Sequence, residues 1–427
     1  MNEDNTYCVS QTGARQHYEI AAMLHLHGQL DLLVTDFWNY LTERGATCAR
    51  HTKIGRLIKA SDRFSSAVPR RAVRVPPSMV LSALRRRPSL LNRRATLEHA
   101  VRYGQRFSRE VVKYLRRSRS SYLGFCSESL EALRFARLDG RWCVVDQYDA
   151  ITTEEKILEH ECEAFPQLTP GPFEPCTAYV ERVRQEWELA DKILVNSEWT
   201  RRALLSEGAD DERICVVPIG FWSEPRREIK RKRKILKVLW LGSLTLTKGI
   251  QYAIEAAKKL RHAPVEFTFV GHSGVRLDRI QLPGNCSVLG PVPHSAVNRV
   301  YMDHDVFLFC TLSDGFGTVQ LEAMSHGLPV IATTNCGSVV EDRVSGVVVR
   351  ARSSDDIVAA IEEFVSVPGA LESMSSEALT RVCAFAPSRI AELLVRAIAP
   401  PARGGEPGAA ACAGKSVAHC PASARAM

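Results

Sequence analysis

Two acidic residues, eight positions apart, are the side chains of this sequence best placed to do chemistry. Asp314 is followed by Gly-Phe-Gly, and Glu322 lies in a helix-forming run that precedes an apolar strand pattern. This order predicts that Asp314 lies just before a helix, near the positive end of its dipole, and that Glu322 returns to the same side about two turns later. Glycine lets a ligand approach the backbone, and N–H groups at a helix start bind phosphate or sugar oxygens. The stretch therefore predicts a site for a polyhydroxylated, phosphorylated ligand.

A second stretch, from Gly242 to Gly249, joins a predicted strand to a predicted helix. Such a junction is the usual place for a phosphate-binding loop. Lys248 stands at the start of the helix, where a cation is unfavourable unless an anion lies beside it. We therefore predict that Lys248 lies beside a bound anion, such as a phosphate group. The alternative is an ordinary exposed lysine at a helix start.

Both stretches resemble the retaining glycosyltransferases of the GT-B fold, family 4 (glycosyl transferases group 1). In that family E-G-F-G is followed by L-E-A-M and by G-x-P-V-I-A. Here the corresponding residues are Asp314-Gly-Phe-Gly, Leu-Glu322-Ala-Met and Gly327-Leu-Pro-Val-Ile-Ala, so the first acid is one methylene shorter. The resemblance is strongest between Val238 and Val365. It implies an α/β architecture of two Rossmann-like, doubly wound parallel sheets that face a cleft.

The resemblance also implies roles for single residues. Asp314 would hold hydroxyls of the donor sugar, Glu322 the ribose diol and Lys248 the donor diphosphate, so these three are the predicted catalytic residues. The implied reaction moves a hexosyl group from a UDP- or GDP-sugar to a glycan, lipid-linked or small-molecule acceptor, as in polysaccharide biosynthesis. Configuration would be retained, and neither a metal ion nor another cofactor is expected. Further donor contacts are predicted at Gly242, Ser243, His272, Phe316, Gly317, Thr318 and, in the first glycine loop, Gly13.

Composition limits the class of protein. The 427 residues suffice for two domains with full cores, and 45% hydrophobic and 24% charged residues are ordinary for a globular protein. No apolar run is long enough to span a bilayer, and the acidic, polar start of the chain is unlike a secretory signal. Thirteen cysteines without a C-x-x-C pair indicate reduced thiols rather than disulfides or a zinc site. We therefore expect a cytoplasmic protein.

Basic charge is concentrated between Arg50 and Arg119, where 20 Lys or Arg residues accompany 3 Asp or Glu residues. The rest of the chain is net acidic. From Leu97 to Leu115 apolar residues recur near helical spacing with arginines between them, which predicts an amphipathic basic helix. We expect its apolar side to pack on the first sheet. Its basic side either is simply solvated or binds the anionic inner surface of a membrane, and no nucleic acid partner is expected.

The pattern of strands and helices, together with the roles that the resemblance implies, predicts five segments. Residues 1–222 form an acceptor-side Rossmann-like domain, and residues 237–386 form a nucleotide-sugar-binding domain. A basic linker, 223–236, joins them. A helix at 387–398 returns to the first domain, and the Pro-, Gly- and Ala-rich tail, 399–427, is expected to be disordered.

Other functions remain open at this point. A nucleotide-sugar epimerase or a phosphorylase uses the same fold, although no lysine stands out for the pyridoxal cofactor of a phosphorylase. A non-catalytic nucleotide-sugar-binding protein is a further alternative, because Asp314 and Ser243 depart from the usual family residues. Product analysis with a labelled donor separates an epimerase or a phosphorylase from a transferase. Donor binding without transfer to any acceptor would indicate a non-catalytic binding protein.

Overall fold

The computed structural model describes residues 6–40, 63–80, 93–169, 171–222 and 233–401. They form two α/β units, each built on a parallel sheet, so the predicted architecture of two doubly wound sheets is confirmed. Much of the basic segment, most of the predicted linker and the tail from residue 402 lie outside the described residues. The exact domain limits therefore stay a prediction.

The first unit contains seven parallel strands with helical crossovers. Its elements are β1 (Tyr7–Gln11), α1 (Glu19–Leu26), β2 (Leu30–Thr35), β3 (Val73–Arg74), α2 (Arg93–Leu115), β4 (Ser121–Phe125), α3 (Leu130–Leu138), β5 (Cys143–Asp146), α4 (Ile151–Ala164), α5 (Thr177–Leu189), β6 (Lys192–Val195), α6 (Glu198–Ser206) and β7 (Ile214–Val216). The strand order is β3-β2-β1-β4-β5-β6-β7. The order reverses between β1 and β4, and a doubly wound sheet opens its crevice at the carboxyl ends of such strands.

The second unit contains six parallel strands. Its elements are β8 (Leu236–Leu241), α7 (Ile250–Lys259), β9 (Val265–Val270), β10 (Cys286–Gly290), α8 (His294–Met302), β11 (Val306–Phe309), α9 (Val319–Ser325), β12 (Val330–Thr333), β13 (Gly346–Val349), α10 (Ser354–Ser366), α11 (Ala370–Val382) and α12 (Pro387–Ile398). The strand order is β10-β9-β8-β11-β12-β13. The order reverses between β8 and β11, whose carboxyl ends lead into the two stretches that the sequence singles out.

Helix α12 crosses back onto the first unit, as the resemblance implies. Ile390 and Leu394 are buried in the core of the first sheet. The phenol of Tyr7 donates a hydrogen bond to the carbonyl of Ile398 at 2.5 Å, and the indole N–H of Trp142 donates to the same oxygen at 2.8 Å. The last described helix therefore ties the two units together.

The first helix differs from the sequence pattern, which predicts a helix from Gln16 to Leu30. Gln16, His17 and Tyr18 have left-handed φ angles of 49°, 50° and 62°, so α1 begins only at Glu19. The reason is tertiary packing, because the Tyr18 ring is fully buried against Trp38, with ring centroids 4.8 Å apart. Two further elements, β3 and α11, were not predicted from the sequence.

Helix α2 has the predicted amphipathic character. Tyr103, Phe107, Val111 and Leu115 are buried against the first sheet, which confirms the expectation for the apolar side. The opposite side is exposed basic surface, with Arg102, Arg106, Arg109, Lys113, Arg116 and Arg117. No helix in the described ranges is both long and apolar enough to cross a membrane.

A buried carboxylate on α1 makes stability depend on pH. Burial raises the pKa of Glu19 to about 8, although the Gly220 N–H, which donates to Glu19 Oε1 at 2.5 Å, opposes the shift. Between its ordinary value of 4.5 and about 8, Glu19 binds a proton in the folded chain but not in the unfolded chain. The free energy of unfolding therefore contains a contribution that falls as pH rises through this range.

We expect Glu19→Gln to remove that contribution, because the amide oxygen can still accept from Gly220 without carrying charge. Thermal unfolding at several pH values from 5 to 9 measures the effect. The stability of the variant relative to the wild type should increase as pH rises. Glu186, whose pKa burial also raises to about 8, keeps its own pH dependence in both proteins. A difference between variant and wild type that is constant across pH would contradict this assignment.

Candidate functional site

Lys248 and Asp314 meet at the carboxyl edge of the second sheet. Lys248 Nζ lies 2.6 Å from Asp314 Oδ2 and donates a hydrogen bond to the carbonyl of Ser313 at 3.1 Å. Burial lowers the pKa of Lys248, but the charge of Asp314 and its hydrogen bond outweigh burial and leave the pKa raised. The ammonium therefore stays charged, and both side chains keep some exposure (30% and 22%) through which a ligand can reach them.

The loop that carries Asp314 is not the start of a helix. Helix α9 begins at Val319, so the predicted position of Asp314 beside a helix dipole is wrong, and Glu322 lies in the first turn instead of two turns along. Gly317 causes the delay, because its φ of 76° is left-handed and interrupts the helical path. Asp314 Oδ1 instead accepts from the Phe316 N–H at 3.1 Å and fixes a tight turn.

Phe316, Gly317 and Thr318 lead from this turn into α9. The Phe316 ring is buried and packs edge-on against Phe385, with centroids 5.9 Å apart, so its side chain anchors the loop in the core. Its N–H already binds Asp314. Phe316, Gly317 and Thr318 are predicted to contact the donor, and their backbone N–H groups are the atoms that could do so. The N–H of Phe316 is occupied within the protein, and the contacts of Gly317 and Thr318 stay predictions.

Glu322 is held by a tyrosine that the sequence analysis did not single out. Tyr301, near the end of α8, donates its phenol to Glu322 Oε2 at 2.9 Å. The buried Tyr301 ring stacks on His326, with centroids 5.0 Å apart, and His326 Nδ1 lies 2.8 Å from the carbonyl of Glu322. Burial, and then the charge of Glu322, raise the pKa of Tyr301 well above its ordinary value, so the phenol remains a donor.

We predict that Tyr301→Phe weakens the use of a donor while it leaves the fold intact. The ring and its stacking on His326 are kept, but Glu322 loses the hydrogen bond that orients it, which costs roughly a 3- to 10-fold increase in the donor KM. Steady-state kinetics over a range of donor concentrations measures this, with Tyr114→Phe, on α2 of the first unit, for comparison. An unchanged KM, or a loss confined to the melting temperature, would show that Tyr301 is only a packing residue.

The glycine loop after β8 lies beside the end of β9. Gly242 has a φ of 148° and open space at its missing Cβ, and its N–H donates to the carbonyl of Val270 at 2.9 Å. A Cβ on Gly271 would come within 1.8 Å of the Gly242 carbonyl, so glycine is required there. Ser243 and His272 are exposed at these two strand ends. The structure thus places these predicted donor contacts on one edge of the second sheet.

The acidic loop lies against the first unit. A Cβ on Gly315 would approach the carbonyl of Tyr148 to 1.8 Å, and the Trp199 indole N–H donates to Ser313 Oγ at 3.3 Å. Tyr148 follows β5 and Trp199 lies in α6, at the carboxyl end of the first sheet. Asp314 therefore lies at the boundary of the two units, which is where the predicted cleft should be.

Gly13 belongs to a different cluster, at the carboxyl edge of the first sheet. Its N–H donates to Asp36 Oδ1 at 2.9 Å. The fully buried Asp36 carboxylate also accepts from Arg63 at 2.7 Å and from the Tyr103 phenol at 2.7 Å. These contacts hold the first glycine loop within the first unit and do not join Gly13 to the Lys248–Asp314 pair.

A cavity of about 460 Å³ opens between the two units. The first unit contributes Arg93, Leu158 and Phe173, and the second contributes Thr245 and Thr247 from the loop before Lys248. Arg93 is paired with Glu155 at 3.1 Å and Glu154 at 3.5 Å, so the polar part of the wall is nearly neutral. Such a space beside the glycine loop can hold an uncharged hydroxyl-rich molecule.

Several residues that shape the site were not predicted. Asn335 accepts from the Asp314 N–H at 3.0 Å and donates its amide to the Leu312 carbonyl at 3.0 Å, which holds the acidic loop in place. Only tertiary contacts reveal Asn335 and Tyr301. Asp36, in contrast, directly follows β2. Because ligands bind at the carboxyl ends of parallel strands, the sequence alone could have identified Asp36 as a candidate.

Residues 236–366 match the sequence model of the family described as "Glycosyl transferases group 1". The chain is 27% identical over 223 residues to a putative colanic acid biosynthesis glycosyltransferase, WcaL, of Salmonella typhimurium, a match that covers 48% of this chain and 55% of the relative. It is 30% identical over 193 residues to the GPI3 subunit of phosphatidylinositol N-acetylglucosaminyltransferase of Saccharomyces cerevisiae, covering 41% of this chain and 42% of the relative. The chain thus spans about half the length of the curated relatives it matches.

Solved structures match nearly the whole chain. The sucrose-phosphate synthase of Thermosynechococcus elongatus superimposes with a TM-score of 0.62 at 15% identity, and HepE of Anabaena in complex with UDP does so with 0.57 at 16% identity. Both matches cover 92% of this chain and 98% of the other. At such identities the likeness shows the fold alone. The chain therefore has the GT-B fold, and residues 236–366 of its second unit are similar in sequence to the glycosyl transferases group 1.

Proposed function

We propose that this protein is a retaining glycosyltransferase of family 4 that transfers a sugar from a nucleotide-sugar, with UDP-sugars as the first candidates. The observation that carries the proposal is the Lys248–Asp314 pair at the carboxyl edge of the second sheet, with Glu322 on the helix that follows. HepE, a structural neighbour, has been solved with UDP and with UDP-glucose. That is consistent with a similar donor here.

Each of the three side chains has a chemical part in this proposal. Lys248 binds the donor diphosphate and stabilises the negative charge that grows on it as the sugar–phosphate bond breaks. Asp314 accepts hydrogen bonds from sugar hydroxyls and favours the positive, oxocarbenium-like sugar. Glu322, oriented by Tyr301, accepts from the ribose diol. In the complex the sugar phosphate is thus held between Lys248 and Asp314, which form an ion pair in the free protein.

We further propose that the cavity beside the glycine loop binds the acceptor. Its walls come from both units, so a molecule inside it lies next to Thr247 and hence next to Lys248. We expect Leu158→Trp, which fills the cavity, to abolish transfer while the affinity for UDP stays within about threefold of the wild type. Equal loss of nucleotide binding and transfer would contradict this location.

A third element of the proposal is peripheral membrane binding through the exposed basic side of α2. The apolar side of α2 is buried, so the interaction would be electrostatic and would weaken with salt. Vesicles containing phosphatidylserine should bind the wild type at low salt, whereas neutral vesicles should not. Arg109→Glu with Arg117→Glu should remove binding, while Arg276→Glu, on the second unit, should not. Binding that is independent of anionic lipid would refute it.

Product analysis tests the main proposal. The protein is incubated with a panel of UDP- and GDP-sugars, chosen by the rise in melting temperature that each causes, and with hydroxyl-bearing acceptors. We expect nucleoside diphosphate and a glycoside with the anomeric configuration of the donor. An inverted product would refute retention, a changed sugar on intact nucleotide would indicate an epimerase, and binding without any product would favour the non-catalytic alternative.

A further inference from the structure

Helix α4 belongs to the first sheet by connection but enters the core of the second. Its first turn is tied to the first unit, where Thr153 donates to Glu207 Oε1 at 3.0 Å. Further along, Ile157 is buried in the core built on the second sheet, and Phe165 packs edge-on against Tyr252 of α7, with centroids 5.6 Å apart. One helix is therefore embedded in both units at once.

Glu161 lies at the centre of this contact. It is fully buried, and all of its strong hydrogen-bond donors come from the second unit. Its Oε2 accepts from Gln251 Nε2 at 2.8 Å and from the Tyr252 phenol at 2.9 Å, and its Oε1 accepts from Arg352 Nε at 2.5 Å. A buried carboxylate with three donors, one of them charged, is a strong and directional contact.

The contact leads to the loop that carries Lys248. Gln251 Nε2 also donates to the carbonyl of Leu246 at 3.1 Å, and Leu246 begins the short helix that ends at Lys248. Glu161 thus orients Gln251, and Gln251 holds the backbone two residues before the ammonium. Arg352 is partly exposed (41%), so water can solvate its charge if the carboxylate of Glu161 is lost, and no uncompensated buried charge remains.

We propose that Glu161 is a positioning residue, a carboxylate from the first unit that fixes the Leu246–Lys248 turn of the second and so sets nucleotide affinity. The nucleotide as the ligand rests on the proposed function. The contact between Glu161 and Gln251 does not depend on it. It makes the glycine loop sensitive to how the two units sit together. Displacement of α4 from the second sheet would release the turn and weaken the grip of Lys248 on a diphosphate.

The first measurement is amide hydrogen exchange on the unliganded protein, which needs no activity. In Glu161→Gln one carboxylate oxygen becomes an NH2 group. The remaining oxygen is expected to face the charged Arg352, so the NH2 group meets the donors of Gln251 and Tyr252 and cannot accept from them. We expect exchange in residues 246–253 to accelerate at least about tenfold, with no change in the strands. Glu159→Gln, on the exposed side of the same helix, is the control and should leave exchange unchanged. Unaltered exchange in Glu161→Gln would overturn the contact.

The second measurement is the dissociation constant for UDP in a double-mutant cycle of Glu161→Gln and Gln251→Met. We expect each single variant to bind UDP roughly tenfold more weakly and the double variant to be no weaker than the worse single one, because both act through one path. Additive losses, or faster exchange with unchanged affinity, would overturn the positioning role. A wild type that binds no nucleotide would contradict the proposed function, and the exchange data would then decide the contact alone.

Discussion

Replacement of Lys248 by alanine should lower kcat/KM for sugar transfer by about 100- to 1,000-fold, the usual loss when one donor to a developing anion is removed. Lys248 forms an ion pair with Asp314 in the structure. The neighbouring carboxylate raises the pKa of Lys248 more than burial lowers it, so the ammonium remains charged at neutral pH. The lost interaction grows with the charge on the leaving diphosphate. The effect should therefore appear in kcat as well as in KM.

Two companion variants make this result specific. Lys259→Ala removes an exposed lysine that pairs with Asp355 outside the site, and it should leave the kinetics unchanged. Asp314→Glu restores the longer acid of the related motif and should retain activity, because the carboxylate can still reach Lys248 and sugar hydroxyls. Normal turnover in Lys248→Ala would show that the site is wrongly assigned, and an inactive Asp314→Glu would show that the shorter acid is required.

Glu322→Gln should raise the donor KM by about 10- to 100-fold, since a hydrogen bond between a hydroxyl and a charged group contributes about 1.5–3 kcal/mol. The ribose diol keeps its place throughout the reaction, so this contact stabilises ground state and transition state alike and kcat should change little. Kinetics with varied donor concentration separates the two constants. Glu362→Gln, on the exposed side of α10, serves as the matched control.

A fall in kcat without a change in KM would contradict a ribose contact and would point to a part for Glu322 in the chemical step. Comparison with Tyr301→Phe adds a further check. If Tyr301 acts only by orienting Glu322, the phenylalanine variant should add nothing to Glu322→Gln in the double variant.

The sequence predicted the architecture well because parallel strands buried on both sides are continuous apolar runs. The runs that begin at Lys237, Val306 and Pro329 became β8, β11 and β12 within one residue at their starts. The meeting of Lys248 with Asp314 was also within reach, since both follow strands that a doubly wound sheet brings together at its switch point.

Other features depend on contacts that no local pattern contains. The positive φ of Gly317 moved the start of α9 to Val319, and burial of Tyr18 moved the start of α1 to Glu19. Helix α4 has an ordinary crossover pattern in the sequence. Only its packing shows that Glu161 forms hydrogen bonds with residues of the second unit. Tyr301 lies 21 residues before Glu322, at a separation that helix and strand periodicity cannot interpret.

Calorimetric titration of UDP and of UDP-sugars into the wild type and into Lys248→Ala tests the central claim most directly, because it requires neither the acceptor nor the linkage to be known. We expect one molecule of nucleotide per chain, bound at least about tenfold more weakly by the variant. Absence of binding of any uridine or guanosine diphosphate or its sugars to the wild type, or equal affinity in the two proteins, would contradict a donor site at the Lys248–Asp314 pair.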